Sequence, residues 1–193
     1  MGDLRFCPAC GAGLERRRPA GDSHERLVCS ACGRIHYENP RLIVGSVCLH
    51  DRRILLCRRA IAPRRGLWTI PAGFLELGES PEEGAAREAF EEARARIRIR
   101  GLLAVYSVRR IGQVQLVYLA GLEDPTIDPG PESLEVRLFA PERIPWRELA
   151  FPTVRWALER ALRLDPGDGP PVPVANPGGC DPEELPPEGG GPA

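Results

Sequence analysis

Three glutamates with helical spacing are the residues of this 193-residue chain best suited to do chemistry. Glu88, Glu91 and Glu92 stand at i, i+3 and i+4, so in a helix their carboxylates share an arc of roughly 100°. Like charges at these spacings cost a helix about 0.2 to 0.5 kcal/mol per pair, unless divalent cations lie among the oxygens. The spacing therefore predicts a cation site; the alternative is the solvated face of an ordinary amphipathic helix.

The helix that carries these acids has a well-marked start. Ser80 suits the N-cap, Pro81 suits the first helical position, and Glu83 completes a capping box with Ser80. The opposite face is small and apolar, so it can pack closely on a sheet. Residues 66–73 before the helix predict a short strand entering a glycine turn, in which Gly73 and Gly78 let backbone carbonyls face the acids.

At these residues the chain resembles the Nudix family. The positions in register with the Nudix box are Gly73, Glu79, Arg87, Glu88, Ala89, Glu91, Glu92 and Ala95. One position departs, because the glycine that ends the box helix is Arg94 here. A left-handed arginine cap would cost roughly 1 kcal/mol, so the helix could instead run on. The resemblance implies Mg²⁺- or Mn²⁺-dependent hydrolysis of a nucleoside diphosphate linked to another group.

The resemblance also implies roles for individual residues. The metal ligands it implies are Glu88, Glu91, Glu92 and the carbonyl of Ala72. Arg87 would orient Glu79 and Glu91 through charge-assisted hydrogen bonds. A further carboxylate often comes from the loop before a late strand, where Glu132 fits best and Glu135 second. Either could bind metal or act as general base, and either could instead be a surface residue.

Candidate substrate contacts follow from position along the chain. Arg58 and Arg59 end a predicted strand near the glycine loop, so one of them could reach a phosphate; a solvated surface arginine is the alternative for each. Trp68, Phe74 and Tyr106 are the aromatic residues placed to stack on an adenine or flavin, although each could equally belong to the core.

Two Cys-x-x-Cys turns occupy the start of the chain. Cys7, Cys10, Cys29 and Cys32, with eighteen residues between the pairs, predict a closed tetrahedral Cys₄ zinc ribbon with a structural role. The alternatives are two disulfides or a redox dithiol. A ribbon can also bind nucleic acid, but the mixed charges and the lack of stacking aromatics between the turns argue against that role.

Composition narrows the remaining function classes. The formal net charge is -1, which gives no reason to expect nucleic acid or an anionic membrane as partner. Every basic residue is arginine, and the absence of lysine excludes a Schiff base and a Walker-type phosphate loop. No segment approaches the ~20 apolar residues of a membrane span, and the start lacks a signal-peptide core, so we expect a cytoplasmic protein.

The pattern of elements predicts an α/β fold, and the resemblance implies a Nudix-type helix-sheet-helix sandwich. We expect a zinc ribbon over 1–36, a hydrolase domain over 37–164 and a disordered tail over 165–193, where prolines and glycines dominate. The sheet is predicted to be mixed and mostly antiparallel. Its predicted strands are 42–49 and 54–59 as a hairpin, then 96–100, 102–108, 114–122 and 132–139, and the last helix is Thr153–Leu164.

The ribbon directly before the box resembles a Nudix group that acts on ADP-ribose and FAD. NADH or NAD pyrophosphatase activity, or removal of an NAD cap from RNA, is the alternative within the family. A non-catalytic nucleotide sensor and a nucleic-acid-binding ribbon module are alternatives of another class. Dimerisation is common in such enzymes, so the resemblance adds a homodimer to the nucleotide substrate as an expected partner, although the sequence alone does not establish one.

Overall fold

The computed structural model describes residues 4–164 and 169–182, and the chain divides into two compact units. The units are Met1–Asn39 and Pro40–Ala193. The first unit is a three-stranded antiparallel sheet in the order β1-β2-β3. Its strands are β1 (Leu14–Arg17), β2 (Arg26–Cys29) and β3 (Ile35–His36). Cysteine turns precede β1 and follow β2, as the sequence predicts for a zinc ribbon.

The second unit is built on a seven-stranded sheet. Its strands are β4 (Arg41–His50), β5 (Arg53–Arg59), β6 (Trp68–Thr69), β7 (Ala72–Phe74), β8 (Ile97–Val108), β9 (Gln113–Leu122) and β10 (Ser133–Phe139). The order along the sheet is β10-β5-β4-β9-β8, with β6 paired to β5 and β7 to β4. β4 runs parallel to β9 and the other pairs are antiparallel, which confirms the predicted mixed, mostly antiparallel sheet.

Two helices, α1 (Pro81–Ala93) and α2 (Pro152–Leu162), cover opposite faces of this sheet. Strand alternation explains the layers, because successive side chains point to opposite faces. On β4, Val47 packs in the cluster that holds α2, whereas Cys48 packs against the alanines of α1. On β5, Leu56 likewise packs in the cluster that holds α2, whereas Leu55 packs in the cluster that holds the α1 alanines. The predicted helix-sheet-helix sandwich is therefore confirmed.

Two predicted strand boundaries are wrong. The separate strands expected over 96–100 and 102–108 are one strand, β8, whose register shifts at Ile99/Gly101 and Leu102/Ala104. Each bulge absorbs an extra residue, so the ladder continues through Gly101. The single strand expected over 66–73 is divided into β6 and β7, with Ile70 and Pro71 between them; β6 pairs with β5, whereas β7 pairs with β4.

The end of α1 keeps the left-handed cap although glycine is missing. Arg94 has φ 53° and ψ 17°, and its N–H donates to the carbonyls of Ala89 and Phe90. The helix therefore stops at Ala93, and the expected alternative of a helix that runs on is wrong. The Arg94 guanidinium lies over the Phe90 ring, 5.4 Å from its centroid.

Part of the predicted disordered tail is ordered on the sheet. Val174 forms a parallel bridge with Ala104 at the β8 edge, donating to the Leu103 carbonyl at 3.2 Å and accepting from Val105 N at 2.8 Å. The prediction of disorder is therefore wrong for 169–182, because backbone groups at a sheet edge can pair with a proline-rich segment. The rest of the predicted tail lies outside the described residues.

Candidate active site and zinc centre

The carboxylates of Glu88 and Glu92 lie on the buried side of α1. These residues are only 8% and 7% exposed, although both are charged types. The alanine face of the helix packs on β4, β5 and β9, and α1 also contacts β7, which brings Glu88 against the glycine loop. A Cβ at Gly73 would overlap the Glu88 carboxylate, so glycine here lets that carboxylate keep its place against the loop. The loop and the helix thus form one wall.

Arg87 ties the remaining acids of the box together. Its Nε and Nη2 donate to the two oxygens of Glu79 at 3.0 and 2.8 Å, a bidentate pair. Its Nη1 donates to Glu88 Oε1 at 2.7 Å and to Glu91 Oε2 at 2.9 Å. Arg87 Nη2 also donates to the Phe74 carbonyl at 2.9 Å, which fixes the loop to the helix. The structure therefore brings the predicted orienting arginine and its acidic partners together.

Burial and nearby charges shift the pKa values of these acids in opposite directions. Burial, with the nearby charge of Glu88, raises the pKa of Glu92 to about 8. Burial also raises the pKa of Glu88, partly opposed by its hydrogen bond with Arg87. In contrast, the hydrogen bonds from Arg87 lower the pKa of Glu79 to about 2. Burial thus opposes ionisation of Glu88 and Glu92, whereas Glu79 is charged near neutral pH.

Glu132 reaches the same wall because its loop docks on the end of α1. Gly130 N donates to the Glu92 carbonyl at 3.0 Å, and Asp128 N donates to the Ala93 carbonyl at 2.9 Å. A Cβ at Gly130 would fall on the Glu91 carbonyl oxygen, so only glycine permits this docking. Sequence reasoning missed Gly130, although its place two residues before Glu132 is the available signal.

Glu135 does not join the cleft. It lies opposite Arg58 on β5, ion-pairs with Arg137 and approaches Arg58 Nη1 at 3.9 Å. Arg58 also donates from Nε to the Gly66 carbonyl at 2.9 Å. Neither residue lines the cavities described below, so the structure does not place Glu135 or Arg58 where a substrate would bind. Two residues of strand separate Glu135 from Glu132, which is enough to redirect its side chain.

Two adjoining cavities meet at the acidic wall. The larger, about 840 Å³, is called the large cleft; the smaller, about 490 Å³, is called the acidic cavity. The acidic cavity is lined by Ala72, Gly73, Phe74, Glu76, Arg87, Glu88, Glu91, Glu92, Arg94, Pro131 and Glu132. The residues that line both are Ala72, Gly73, Phe74, Glu92 and Glu132. A volume of this size accommodates a nucleotide beside the carboxylates.

One of the three candidate aromatic residues lines the cavities. Phe74 is 47% exposed and borders both of them, with the Arg41 guanidinium 5.4 Å from its ring centroid. Trp68 is 5% exposed and packs edge-on against Phe139 in the core. Tyr106 is 1% exposed and packs against Trp156. The stacking roles expected for Trp68 and Tyr106 are therefore wrong, because both rings point into the core around α2.

Arg59 is the predicted phosphate arginine that lies in the large cleft. Its Nε donates to the Pro63 carbonyl at 2.9 Å, and its guanidinium lies over the Phe151 ring, 5.3 Å from the centroid. Its positive charge also acts on Glu92, lowering that residue's otherwise raised pKa. Further polar lining that sequence reasoning missed comes from Arg64, Thr69, Arg110, Gln113, Gln115 and Thr153.

The acidic wall fits a hard divalent cation. Among the described residues, the buried Oε2 of Glu92 has no hydrogen-bond partner, and a buried carboxylate oxygen requires one or a cation. The glutamates line a wall rather than enclosing a point, since the four cysteines are the one group of three or more in 4–164 and 169–182 that is close enough to hold a metal ion by itself. Mg²⁺ suits such a wall, because it typically uses one or two carboxylates plus water and substrate phosphate.

The first unit holds a separate cluster of four cysteines that could bind a metal ion. The Sγ atoms of Cys7, Cys10, Cys29 and Cys32 lie within 4.8 Å of one another. Two pairs cross between the turns, with Sγ–Sγ distances of 3.8 Å for Cys7 and Cys32 and 3.4 Å for Cys10 and Cys29. Thiolates about 2.3 Å from a shared tetrahedral zinc have such separations, whereas a disulfide needs about 2.05 Å.

The two cysteine turns have matching backbone bonds. Gly11 N donates to the Cys7 carbonyl at 2.8 Å and Gly33 N to the Cys29 carbonyl at 3.2 Å. The Cys32 backbone amide donates to Cys29 Sγ at 3.4 Å, and this bond lowers the pKa of the Cys29 thiol to about 6. A thiol that ionises easily suits a metal ligand, and the spacing of the four sulfur atoms fits zinc.

Comparison with known proteins identifies the class that this fold and site define. A zinc-ribbon family model, described as Nudix N-terminal, matches residues 5–38. The NUDIX domain model matches residues 39–158. The chain therefore belongs to the Nudix family, and it carries the family's N-terminal ribbon.

Particular relatives resemble the chain over different lengths. A NUDIX hydrolase crystal structure from Nitrosomonas europaea is 45% identical, with a TM-score of 0.83, covering 89% of this chain and 98% of that one. An ADP-ribose pyrophosphatase of Methanocaldococcus jannaschii is 30% identical over 119 residues, 60% of this chain and 69% of that protein. The NAD-capped RNA hydrolase NudC of Edwardsiella ictaluri is 35% identical over 94 residues.

Coverage differs among these relatives. The NudC alignment spans 49% of this chain and 35% of that protein. A MutT-like protein of Streptomyces ambofaciens is 35% identical and is covered over 64% of its length. This chain therefore spans less than two thirds of either relative. In the ranges 4–164 and 169–182, no helix is both long enough and apolar enough to cross a bilayer.

Proposed function

We propose that this protein hydrolyses the pyrophosphate bond of a nucleoside diphosphate derivative, with ADP-ribose or FAD as the preferred substrate. The observation that carries the proposal is the buried pair Glu88 and Glu92 in a wall that separates an acidic cavity from a nucleotide-sized cleft. The name of the pyrophosphatase relative supports ADP-ribose among the substrates. The reaction adds water across the phosphoanhydride and releases two phosphate monoesters.

Glu88 and Glu92 would hold the catalytic cation, Mg²⁺ or Mn²⁺, with Glu91 and the Ala72 carbonyl beside them. A divalent cation bound there supplies charge neutralisation for the diphosphate and acidifies a bound water. Arg87 holds Glu79, Glu88 and Glu91 in one arrangement, and this prevents the acids from turning into solvent. Its role is positioning, since its donors are already used within the wall.

Glu132 is the proposed general base. It lies on the wall shared by both cavities, is exposed to them, and is held there by the docking of Gly130 on α1. A carboxylate at this place can accept a proton from the attacking water. Arg59 would contact a phosphate of the substrate from the large cleft, where its guanidinium is fixed on Phe151. Phe74 would stack on the nucleoside from the shared wall.

NAD is the second candidate substrate. The observation that favours it is the similarity to NAD-capped RNA hydrolases, including the Schizosaccharomyces pombe enzyme at 35% identity over 104 residues. That alignment covers only 46% of this chain and 27% of that protein. NADH, NAD and NAD-capped RNA therefore belong in the same substrate panel.

Zinc in the four-cysteine ribbon is proposed to be structural, because four thiolates close its coordination sphere. A reducing compartment such as the cytoplasm would keep these thiols available as ligands, and we propose that location. A homodimer is the proposed assembly, as is common in the Nudix group that the sequence resembles. Light scattering of the purified chain tests the dimer.

A substrate panel tests the activity. Purified protein is incubated with ADP-ribose, FAD, NADH, NAD and NAD-capped RNA, each with Mg²⁺ and with Mn²⁺, and the products are identified. We expect release of AMP from ADP-ribose or FAD with either metal and none without it. Faster cleavage of an NAD derivative would favour the second candidate. Specific binding of ADP-ribose without any product from the panel would contradict hydrolysis and favour a sensor.

A further inference from the structure

The chain beyond α2 returns to the sheet and reaches the large cleft. Residues 169–182, called the return segment, bridge the β8 edge through Val174. Arg160 of α2 donates from Nη2 to the Val172 carbonyl at 3.1 Å, so the segment is also tied to the helix beneath it. β8 is the last strand of the sheet order, and the segment supplies partners to backbone groups at this edge.

Asn176 fixes the direction of the return segment. Its side chain imitates a strand partner, because Oδ1 accepts from Ser107 N at 2.8 Å while Nδ2 donates to the Ser107 carbonyl at 2.9 Å. The same Nδ2 donates to the Cys180 carbonyl at 2.6 Å, across the turn Pro177–Gly179. One amide therefore joins the β8 edge to the residues that follow the turn.

The turn delivers Pro182 to the large cleft, and Asp181 lies buried next to it in the chain. Asp181 is 6% exposed, and its Oδ2 accepts from Arg110 N at 3.3 Å in the turn between β8 and β9. Pro182 is buried and lines the large cleft, as do Arg110 and Ile111. None of these residues lines the acidic cavity. Arg110, Ile111 and Pro182 bound a part of the large cleft that the carboxylate wall does not share.

We propose that the return segment is part of the substrate site and forms the specificity wall for the group furthest from the cleaved bond. This inference rests on the proposed function, in which the diphosphate lies at the wall shared by both cavities. A group attached to that diphosphate then extends through the large cleft toward Ile111 and Pro182. The apolar surfaces of these two residues suit the face or edge of a planar base, and Asn176 is a positioning residue for them.

The test uses the full chain with Asn176→Ala and, as matched control, Val172→Ala, which removes an exposed side chain from the same segment. Steady-state kinetics are measured with the substrate that the wild type cleaves fastest. We expect Asn176→Ala to raise KM by about tenfold, with kcat within about twofold of wild type. This pattern is expected when a variant loses an interaction that binds the ground state and the transition state equally well. Val172→Ala should leave both constants unchanged.

Pro182→Trp keeps the inference testable if Asn176→Ala does not fold, because residue 182 borders open cleft volume. The indole should raise KM more for FAD than for the shorter ADP-ribose. If folded variants at 176 or 182 have an unchanged KM for both substrates, the return segment is not a specificity wall. The proposed function would still stand in that case, provided that the wild type hydrolyses these substrates. A wild type that cleaves nothing in the panel would instead contradict the proposed function, and this inference with it.

Discussion

Glu132 and Glu135 are three positions apart, yet they face different surroundings. Glu132 borders both cavities, whereas Glu135 is held by Arg58 and Arg137 outside them. A general base must reach the water that attacks, so position relative to the cleft decides between them. The two residues form a natural pair for mutagenesis, because the same substitution removes one carboxylate in each case.

We predict that Glu132→Gln lowers kcat by about 10²- to 10⁴-fold, the range for loss of a general base. Glu135→Gln is the matched control and should change kcat by less than about twofold, since Glu135 lines neither cavity. Both are measured as initial rates of ADP-ribose or FAD hydrolysis at saturating Mg²⁺. Equal rates for the two variants would contradict the assignment of Glu132.

The sequence could predict which acids cluster but not which aromatic residues face the cleft. The spacing of Glu88, Glu91 and Glu92 fixes their common side within one helix, so local geometry is sufficient. Trp68 and Tyr106 lie on strands, where alternation gives two opposite faces without saying which one borders a cavity. For Gly130, the only sequence signal is its place two residues before Glu132, because its packing role depends on the approach of α1 from distant sequence.

At the scale of elements, the site depends on where α1 ends. Arg94 occupies the left-handed cap with φ 53°, and the following loop then docks Asp128 and Gly130 on the last carbonyls of the helix. A helix that ran on would displace this loop and carry Glu132 away from the wall. The missing box glycine is therefore tolerated because tertiary contacts hold a strained arginine in place.

We predict that Arg94→Gly stabilises the protein by about 0.5 to 1 kcal/mol, because glycine adopts the left-handed region without steric cost. Part of this gain is lost, because glycine also increases the conformational entropy of the unfolded chain. Chemical denaturation of the second unit measures the change. The control is Arg94→Ala, which removes the contact with Phe90 but keeps the Cβ, and it should not stabilise. A destabilised Arg94→Gly would show that the arginine contact outweighs the strain.

Other element boundaries could not be read from local pattern. Residues 96–108 show strand alternation on either side of Gly101, and a glycine there predicts a break. The structure bridges it with bulges because β9 offers an unbroken partner from Gln113 to Leu122. The order of the return segment could not be predicted from local sequence either. A segment rich in proline and glycine indicates disorder unless a sheet edge such as β8 is available to bind it.

At the scale of the whole molecule, the two units have separate sources of stability. The second unit buries a two-sided sheet core, whereas the first has short strands and few buried residues around Cys7, Val28 and Cys29. A unit of this size needs a metal to hold its fold. Zinc should therefore determine whether the ribbon folds.

We predict that Cys29→Ser lowers the zinc content and the thermal stability of the ribbon. Turnover per folded molecule should stay within about twofold of wild type, because a closed four-thiolate site leaves no position for substrate. Cys180→Ser is the matched control and should change neither zinc content nor stability. Zinc is measured by atomic absorption and unfolding by calorimetry. Lost turnover in a folded, zinc-free variant would overturn the structural role.

One measurement bears most directly on the whole interpretation, which is the Mg²⁺ dependence of hydrolysis in Glu92→Gln. Loss of a residue that merely orients a metal ligand lowers metal affinity or activity by about 10- to 100-fold. Loss of the ligand itself should therefore lower kcat by more than about 100-fold at any Mg²⁺ concentration. The circular dichroism spectrum should be unchanged. A folded Glu92→Gln protein that hydrolyses its substrate at the wild-type rate, with the same Mg²⁺ requirement, would contradict the proposal that this helix holds the catalytic cation.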